Sequence, residues 1–338
     1  MGTLDARQGL MAIAAGMASA FFVLSLVSGS ILAMPLFYLA PMPLYLAGLA
    51  WGAKAAGVAM LGGTLAVGVA GGLLLTMPYA VVMAVPAWLI CRQVLLNRPL
   101  TAGQGAANQG VAGQGVAGTA TDWYPIGDIL AWMTMAALGI FMVAAMSIDG
   151  GDQDVRDAVA GGLATGFEQM APHLGPEAIA NSVAAMAPLF PGMLGANWLL
   201  MTVVNAVMAQ GLLRRGGRNA RPTPVYSELT LPQWCAWPLL AAAVMALVGS
   251  GDMQYLGRNM ALVAATPFFM LGLAVVHFIV ARLKARGGLL IIFYMILLVS
   301  GWAALVVAGV GLLELWIGLR HRYAGGTGPH NPQDEESE

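Results

Sequence analysis

The apolar stretch "NMALVAATPFFMLGLAVVHFIV", residues 259–280, contains polar side chains that could do chemistry. In a helix, Asn259 and His277 are about five full turns apart, and Thr266 and Met270 fall within about 20° of the line that joins them. A row of polar groups on one helix face could bind a ligand or carry a proton, because ionisable residues at membrane depth usually have a function. The alternative is a structural histidine that hydrogen-bonds a neighbouring helix. The spacing leaves both interpretations open.

Three more polar residues interrupt other apolar runs. Asn197 and Asn205 lie about 80° apart on one predicted helix, where each amide needs a hydrogen-bonding partner. Helix-to-helix hydrogen bonds, at about 0.6 kcal/mol each, are the structural alternative to a ligand. Glu314 is the one carboxylate of the last run, so it needs a charged partner such as Arg320 or must be protonated. The candidate substrate-binding residues are Asn197, Asn205, Thr266, His277 and Glu314.

Motifs for catalysis or metal binding are absent from the sequence. It contains neither a phosphate-binding glycine loop with its lysine nor the spaced signatures of zinc sites and serine nucleophiles. The acidic stretch "DGGDQDVRD" lacks the ligand spacing and central glycine of a calcium loop. Cys91 and Cys235 sit in or beside apolar segments, which favours buried thiols over a disulfide or a metal site. We therefore expect no cofactor, no metal and no enzymatic activity.

The composition indicates which class of protein fold holds these residues in place. Hydrophobic residues make up 59% of the chain and charged residues only 9%, against roughly 25% charged in soluble domains. The net charge of −1 argues against nucleic acid as a partner, which would require a clustered basic face. The sequence predicts an all-α polytopic membrane helix bundle in a lipid bilayer.

The apolar runs predict nine or ten transmembrane helices, each of about 20 residues. They cover residues 10–28, 31–51, 55–75, 78–96, 123–147, 190–213, 234–250, 259–281 and 287–319. The last run would be about 50 Å long as one helix, against a hydrocarbon core of about 30 Å. Two short helices that break at Ser300–Gly301 fit better, although a single crossing is the alternative.

Basic residues predict the orientation. With the N-terminus in the cytoplasm, thirteen of the 15 Lys and Arg residues fall in cytoplasmic segments, as the positive-inside rule requires. If the last apolar run forms two helices, the same assignment also places the C-terminus in the cytoplasm.

Composition also divides the chain into regions. Residues 1–96 form an N-terminal four-helix membrane bundle, residues 97–122 a flexible Gly/Gln/Ala linker, and residues 123–318 a C-terminal bundle. Within the latter, residues 148–188 predict two amphipathic helices at the outer surface, with an acidic character. Residues 319–338 form an acidic cytoplasmic tail.

The first helix carries small residues at four-residue spacing. Ala12, Gly16 and Ala20 form one line and Ala14 and Ala18 another, and small residues let a second helix approach closely. That helix could belong to this chain or to a partner protein.

Two resemblances follow from these residues. The stretch "PMPLYLAGLAWGAKAAGVAMLGG", with its proline pair and glycines, resembles the S components of energy-coupling-factor vitamin transporters. In those proteins small residues of the first helix face the coupling subunit, a role that the resemblance gives to Ala14 and Ala18. "LPQW" at 231–234, "PFFMLGLAVVHF" at 267–278 and "GLLELWIGLR" at 311–320 resemble the YybS-like family of membrane proteins, grouped distantly with S components. S components have six helices, fewer than predicted here.

The resemblance implies a protein of the bacterial inner membrane that binds a small molecule outside and transports it. The chain itself carries no ATPase motif, so a coupling transmembrane subunit with ATPases would be its partner. The alternative is a membrane scaffold or regulatory subunit with no transported substrate.

Overall fold

The computed structural model describes residues 4–30, 32–99, 121–148, 154–171 and 173–325. It confirms an all-α membrane protein, and apolar helices of this length require a lipid bilayer around them. Among the described residues, six helices are long and apolar enough to cross a membrane, or seven if a bent pair counts as one span. The predicted count of nine or ten is not confirmed.

The chain divides into two compact units at three points, of which two fall inside helices and the third, at Pro224–Val225, falls in a loop. The first unit comprises Met1–Met133 and Asn197–Pro224, and the second comprises Thr134–Ala196 and Val225–Glu338. The N-terminal helices are α1 (Ala6–Leu24), α2 (Ala33–Tyr38), α3 (Met42–Trp51), α4 (Ala53–Tyr79) and α5 (Val85–Val94). They are followed by α6 (Ile126–Ser147), α7 (Val155–Met170), α8 (Pro176–Met186), α9 (Phe190–Arg215), α10 (Ala236–Val248), α11 (Gly251–Val280), α12 (Arg286–Val299), α13 (Gly301–Ile317) and α14 (Leu319–Gly325).

The helical stretch Ala53–Val94 folds back on itself. Its 42 residues would be about 63 Å long if straight. Gly72 breaks it with φ 76°, a backbone conformation that glycine adopts without strain. A β-carbon at Gly57 would lie 3.4 Å from Trp88 Nε1, although those residues would be about 46 Å apart in a straight helix. The stretch is therefore a hairpin, and its arms correspond to the predicted runs 55–75 and 78–96.

Small residues pack α1 onto α4 within the first unit. A β-carbon at Gly16 would meet the Ala59 carbonyl oxygen and lie 2.6 Å from Gly63 N. Ala12 and Ala20 are buried beside it. The line Ala12, Gly16 and Ala20 is thus a contact face inside this chain.

Helix α11 is the centre of the second unit, with thirteen buried residues. It begins at Gly251, eight residues before the predicted start, so Asn259 lies two turns inside it. Near its start it packs against α10, where Gly257 faces the Met245 and Ala246 backbone. Farther along, Gly272 faces the Val307 carbonyl oxygen of α13, and the approach is close enough to exclude a β-carbon.

The last apolar run breaks at the predicted place. Ser300 is extended (φ −115°, ψ 107°) between α12 and α13, and the two helices bend by 117°. A single straight helix through this run is therefore excluded.

The insert and the linker are described in part. Helices α7 and α8 lie within the 148–188 insert, for which two amphipathic helices are predicted. At the linker ends, β1 (Asn97–Pro99) and β2 (Thr121–Trp123) form an antiparallel pair with a 2.8 Å ion pair between Arg98 and Asp122. Linker residues 100–120 and tail residues 326–338 lie outside the described residues.

Candidate functional site

One face of helix α9 carries a row of hydrogen-bonding side chains that contact other helices of the first unit. Trp198, Thr202 and Asn205 recur every three or four residues, so they share one face, and all three are buried. Thr202 hydrogen-bonds the Tyr45 hydroxyl of α3, and Asn205 Nδ2 donates to the Tyr38 carbonyl of α2 at 2.8 Å. Each residue therefore connects α9 to a different part of the unit.

The Trp198 bond depends on a proline in the second arm of the Ala53–Val94 hairpin. Pro86 has no N–H, so the carbonyl four residues earlier, Val82, loses its usual helical donor. Residues 80–84 form a π-helical turn at this point. Trp198 Nε1 donates to the Val82 oxygen at 2.6 Å and replaces the missing bond. The sequence analysis did not identify Trp198; a proline within the predicted 78–96 helix was the available signal.

Asn205 has a buried oxygen with no hydrogen-bond partner among the described residues. Its Nδ2 donates to two carbonyls at 2.8 Å, those of Tyr38 and Met201. Because a flipped amide would point its oxygen at two other oxygens, these bonds fix the side-chain orientation. The Oδ1 atom then faces the interior without a donor, and the residue is 0% exposed. An unpaired buried acceptor costs about 1–3 kcal/mol, so this position suits a group that can donate a hydrogen bond.

Asn259 in the second unit provides the contrast. It is also 0% exposed, but its Oδ1 accepts from Gly192 N at 2.8 Å. Its Nδ2 donates to the Pro188 and Tyr255 carbonyls at 3.1 and 2.9 Å. The amide bonds both of its polar atoms to protein groups, so its role is structural.

Other members of the predicted polar row on α11 bond within the protein as well. The Thr266 hydroxyl donates to the Leu262 carbonyl of its own helix at 3.1 Å. The Met270 carbonyl accepts from the Tyr226 hydroxyl at 2.8 Å. Asn259, Thr266 and Met270 are all buried, so these positions of the predicted row pack against protein.

His277 is held by two tyrosines. Its Nδ1 lies 2.8 Å from the Leu273 carbonyl oxygen, which can only accept, so Nδ1 carries the proton. Nε2 is then the acceptor for the Tyr294 hydroxyl of α12, at 3.3 Å. The Tyr226 ring meets the imidazole edge-on, with centroids 5.6 Å apart. Burial raises the pKa of Tyr226, so its hydroxyl keeps its proton and donates to Met270.

Glu314 and Arg320 form the ion pair that the sequence allowed. Arg320 Nε donates to Glu314 Oε1 at 2.8 Å, and the Arg320 backbone N–H donates to Oε2 at 3.1 Å. The guanidinium also donates to the Ser227 and Leu229 carbonyls at 2.5 and 2.7 Å. Because Tyr226 of the same segment contacts His277, residues 226–229 connect the histidine to the ion pair.

The predicted site residues are divided between the two units. Asn197 and Asn205 belong to the first unit, whereas Thr266, His277 and Glu314 belong to the second. Asn197 is exposed on α9 and does not share the buried face of Asn205.

Arg221 was not among the candidate residues of the sequence analysis. Arg221 is 8% exposed, and its Nη1 donates to the Val94 and Tyr124 carbonyls at 3.0 Å each. Its guanidinium lies 5.6 Å from the centre of the Trp123 ring. Burial lowers the pKa of Arg221 to about 10, so it is still charged at neutral pH. Arg221 therefore joins the end of α5 to the start of α6.

We expect His277→Ala to lower the free energy of unfolding by about 1–3 kcal/mol, because it removes two hydrogen bonds and the aromatic contacts with Tyr226 and Tyr294. Denaturant unfolding of the detergent-solubilised protein measures the change. His173→Ala is the matched control, since His173 is exposed, and we expect it to have almost no effect. Equal unfolding curves for His277→Ala and wild type would contradict a structural role for the His277 bonds.

Metal binding has no support in the geometry of the described residues. Within them, no group of three or more His, Cys, Asp or Glu side chains could hold a metal ion.

The comparisons with known proteins give one match. The model of a family described as "Predicted membrane protein (DUF2232)" matches residues 111–315. Nothing among the curated proteins or the solved structures matches the chain. The family match covers α6 to α13 except the last two residues of α13, and it includes most of the second unit and the α9 face that carries Asn205. The chain therefore belongs to the DUF2232 family of predicted membrane proteins.

Proposed function

We propose that the protein binds a small molecule inside its first unit and transports it across the membrane without an ATPase of its own. The observation that carries this proposal is the Oδ1 atom of Asn205 on a membrane-spanning helix, a fully buried acceptor that has no partner among the described residues. Polar groups at such depth are costly, and they usually mark substrate pathways.

The side chains of the first unit favour an uncharged substrate. Ser19, Tyr45, Tyr79, Thr202 and Asn205 are all buried there and are all neutral, and the buried cation of the unit, Arg221, already bonds the Val94 and Tyr124 carbonyls. Two pairs already bond each other, Tyr79 with Ser19 at 2.9 Å and Tyr45 with Thr202. Asn205 Oδ1 remains as the acceptor, so the substrate would present an O–H or N–H group to it.

The resemblances to the YybS-like family and to S components are part of this proposal. If the protein works as S components do, its N-terminus faces the cytoplasm of a bacterial cell, and a coupling subunit with ATPases supplies the energy for transport. The protein itself would have no catalytic activity.

A ligand screen tests the proposal. We would measure the thermal midpoint of the purified protein with neutral vitamins, nucleobases and amino acids, because a ligand that binds only the folded state raises the midpoint. We expect at least one compound to stabilise the wild type by about 2.7 kcal/mol at a hundredfold excess over its Kd. Asn205→Ala should abolish the shift, whereas Asn259→Ala should lower the midpoint but keep the shift.

Two results would contradict this function. A hit that survives Asn205→Ala would place the ligand elsewhere. A blank screen, together with a higher midpoint for Asn205→Leu, would mean that the amide is an unsatisfied polar group with no ligand, because leucine removes the unpaired acceptor.

A scaffold role is the second candidate, and the α1 surface favours it. While Ala12, Gly16 and Ala20 pack inside, Ala14 is exposed and Ala18 is half-buried. A small residue on an outer helix face permits close approach by another helix. Copurification of wild type and Ala14→Leu separates the two functions: an ATPase module lost on substitution supports transport, and a partner without ATPases supports the scaffold.

A further inference from the structure

An open groove of about 680 Å³ lies between α7 and α8 of the second unit. Its walls are mainly small or aliphatic residues, including Ala160, Gly161, Ala164, Ile179, Ala180 and Val183. Its volume is within the range of about 300–1,000 Å³ typical of small-molecule sites. One carboxylate, Glu168, belongs to the lining.

The two helices cover little of each other. No residue of α7 is buried, and in α8 only Ile179 is. The apolar faces of α7 and α8 are therefore partly exposed along the groove, because the small side chains on its walls do not fill the space between the helices.

The α7–α8 hairpin is nevertheless bonded to one face of α11, both where α7 begins and just beyond the end of α8. Asp252 Oδ1 accepts from Val155 N at 3.2 Å and holds the start of α7. The Tyr255 hydroxyl donates to the Ala187 carbonyl at 3.0 Å, just beyond α8. These two bonds hold the start of α7 and the end of α8 against α11.

Charge identifies the ligand that suits this groove. Residues 154–171 and 173–186 contain four carboxylates, Asp154, Asp157, Glu168 and Glu177, against the single cation Arg156. An acidic hairpin repels anions and attracts cations. Apolar walls beside Glu168 add affinity for an alkyl group.

We propose that this groove binds a small amphiphilic cation, with its alkyl chain along the alanine-lined walls and its positive group beside Glu168. This site belongs to the second unit and does not depend on the ligand proposed for Asn205.

Equilibrium dialysis of hexyltrimethylammonium against the protein in zwitterionic lipid nanodiscs tests the proposal, with empty nanodiscs as background. We expect saturable binding, and no saturable binding of hexanesulfonate, which has the same alkyl chain and a negative charge. Glu168→Gln should weaken binding about threefold, because solvent partly screens the attraction between the Glu168 carboxylate and the ammonium group. Ala164→Trp should weaken it by about tenfold or more, because the indole fills the groove.

Two matched variants make the test specific. Glu177→Gln removes the same charge from α8, and Ala178→Trp adds the same bulk, yet neither residue lines the groove. Both should bind the cation as the wild type does. Equal weakening by Glu168→Gln and Glu177→Gln would overturn the site in favour of general surface charge, and unchanged binding by Ala164→Trp would place the ligand outside the groove.

Discussion

Gly311→Leu is expected to separate α13 from α11 and to lower the free energy of unfolding by about 3 kcal/mol or more. A β-carbon at Gly311 would meet the Phe268 carbonyl oxygen and would lie 2.7 Å from Gly272 N. Both are backbone atoms, so they cannot rotate away as a side chain would. Gly272 faces the Val307 carbonyl of α13 in the same manner, so both helices exclude side chains where they cross.

Gly309→Leu is the control for this prediction. Gly309 is in the same helix, two residues before Gly311, and a β-carbon there would have no atom within 4 Å. We expect its effect to be within about 0.5 kcal/mol. Denaturant unfolding in one detergent compares the two variants with wild type. A Gly311→Leu protein as stable as Gly309→Leu would show that α11 and α13 do not pack through their backbones.

Features that depend on local sequence could be predicted. The break at Ser300–Gly301 follows from an apolar run too long for one crossing, and the α1 contact face follows from small residues at four-residue spacing. The start of α11 could not be found in this way. Its first turns include Asp252 and Arg258, whose charges end the apolar run although the helix continues through them.

Partners that are distant in sequence were beyond prediction. Asn205 and Asn259 are the same residue type in similar apolar runs, and each donates to the carbonyl four residues before it. The difference lies in the remaining bonds: Asn259 Oδ1 accepts from Gly192, 67 residues away, whereas Asn205 Oδ1 accepts from no described group. Helical spacing places a side chain on a face, but only the tertiary fold shows what it meets.

The face of His277 is a similar case. The spacing predicted that His277 lies in line with Asn259 and Thr266, but it could not show that Tyr226 and Tyr294 pack against the ring. Those tyrosines are 51 residues before and 17 residues after the histidine. A row of polar residues on an apolar helix therefore predicts contact with other polar groups, and it does not by itself distinguish protein from ligand.

Glu314→Ala is expected to destabilise the protein by about 3–5 kcal/mol, because it removes one member of a buried ion pair. The Glu314 and Arg320 side chains are only 5% and 11% exposed. Arg320 would keep its bonds to the Ser227 and Leu229 carbonyls but would have lost the carboxylate that balances its charge. Loss of this pair should also loosen residues 226–229, and hydrogen exchange of their backbone amides would detect the change.

The exposed pair Arg98 and Asp122 is the internal comparison for this effect. It has the same 2.8 Å separation between nitrogen and oxygen, but its side chains are 76% and 34% exposed. Asp122→Ala should therefore cost no more than about 1 kcal/mol, since water screens the charges. Glu314→Gln separates charge from shape: it should fall between wild type and Glu314→Ala if the carboxylate is ionised. If Glu314→Gln is as stable as wild type, the carboxyl is protonated and hydrogen bonding, rather than an ion pair, holds Arg320 at this position.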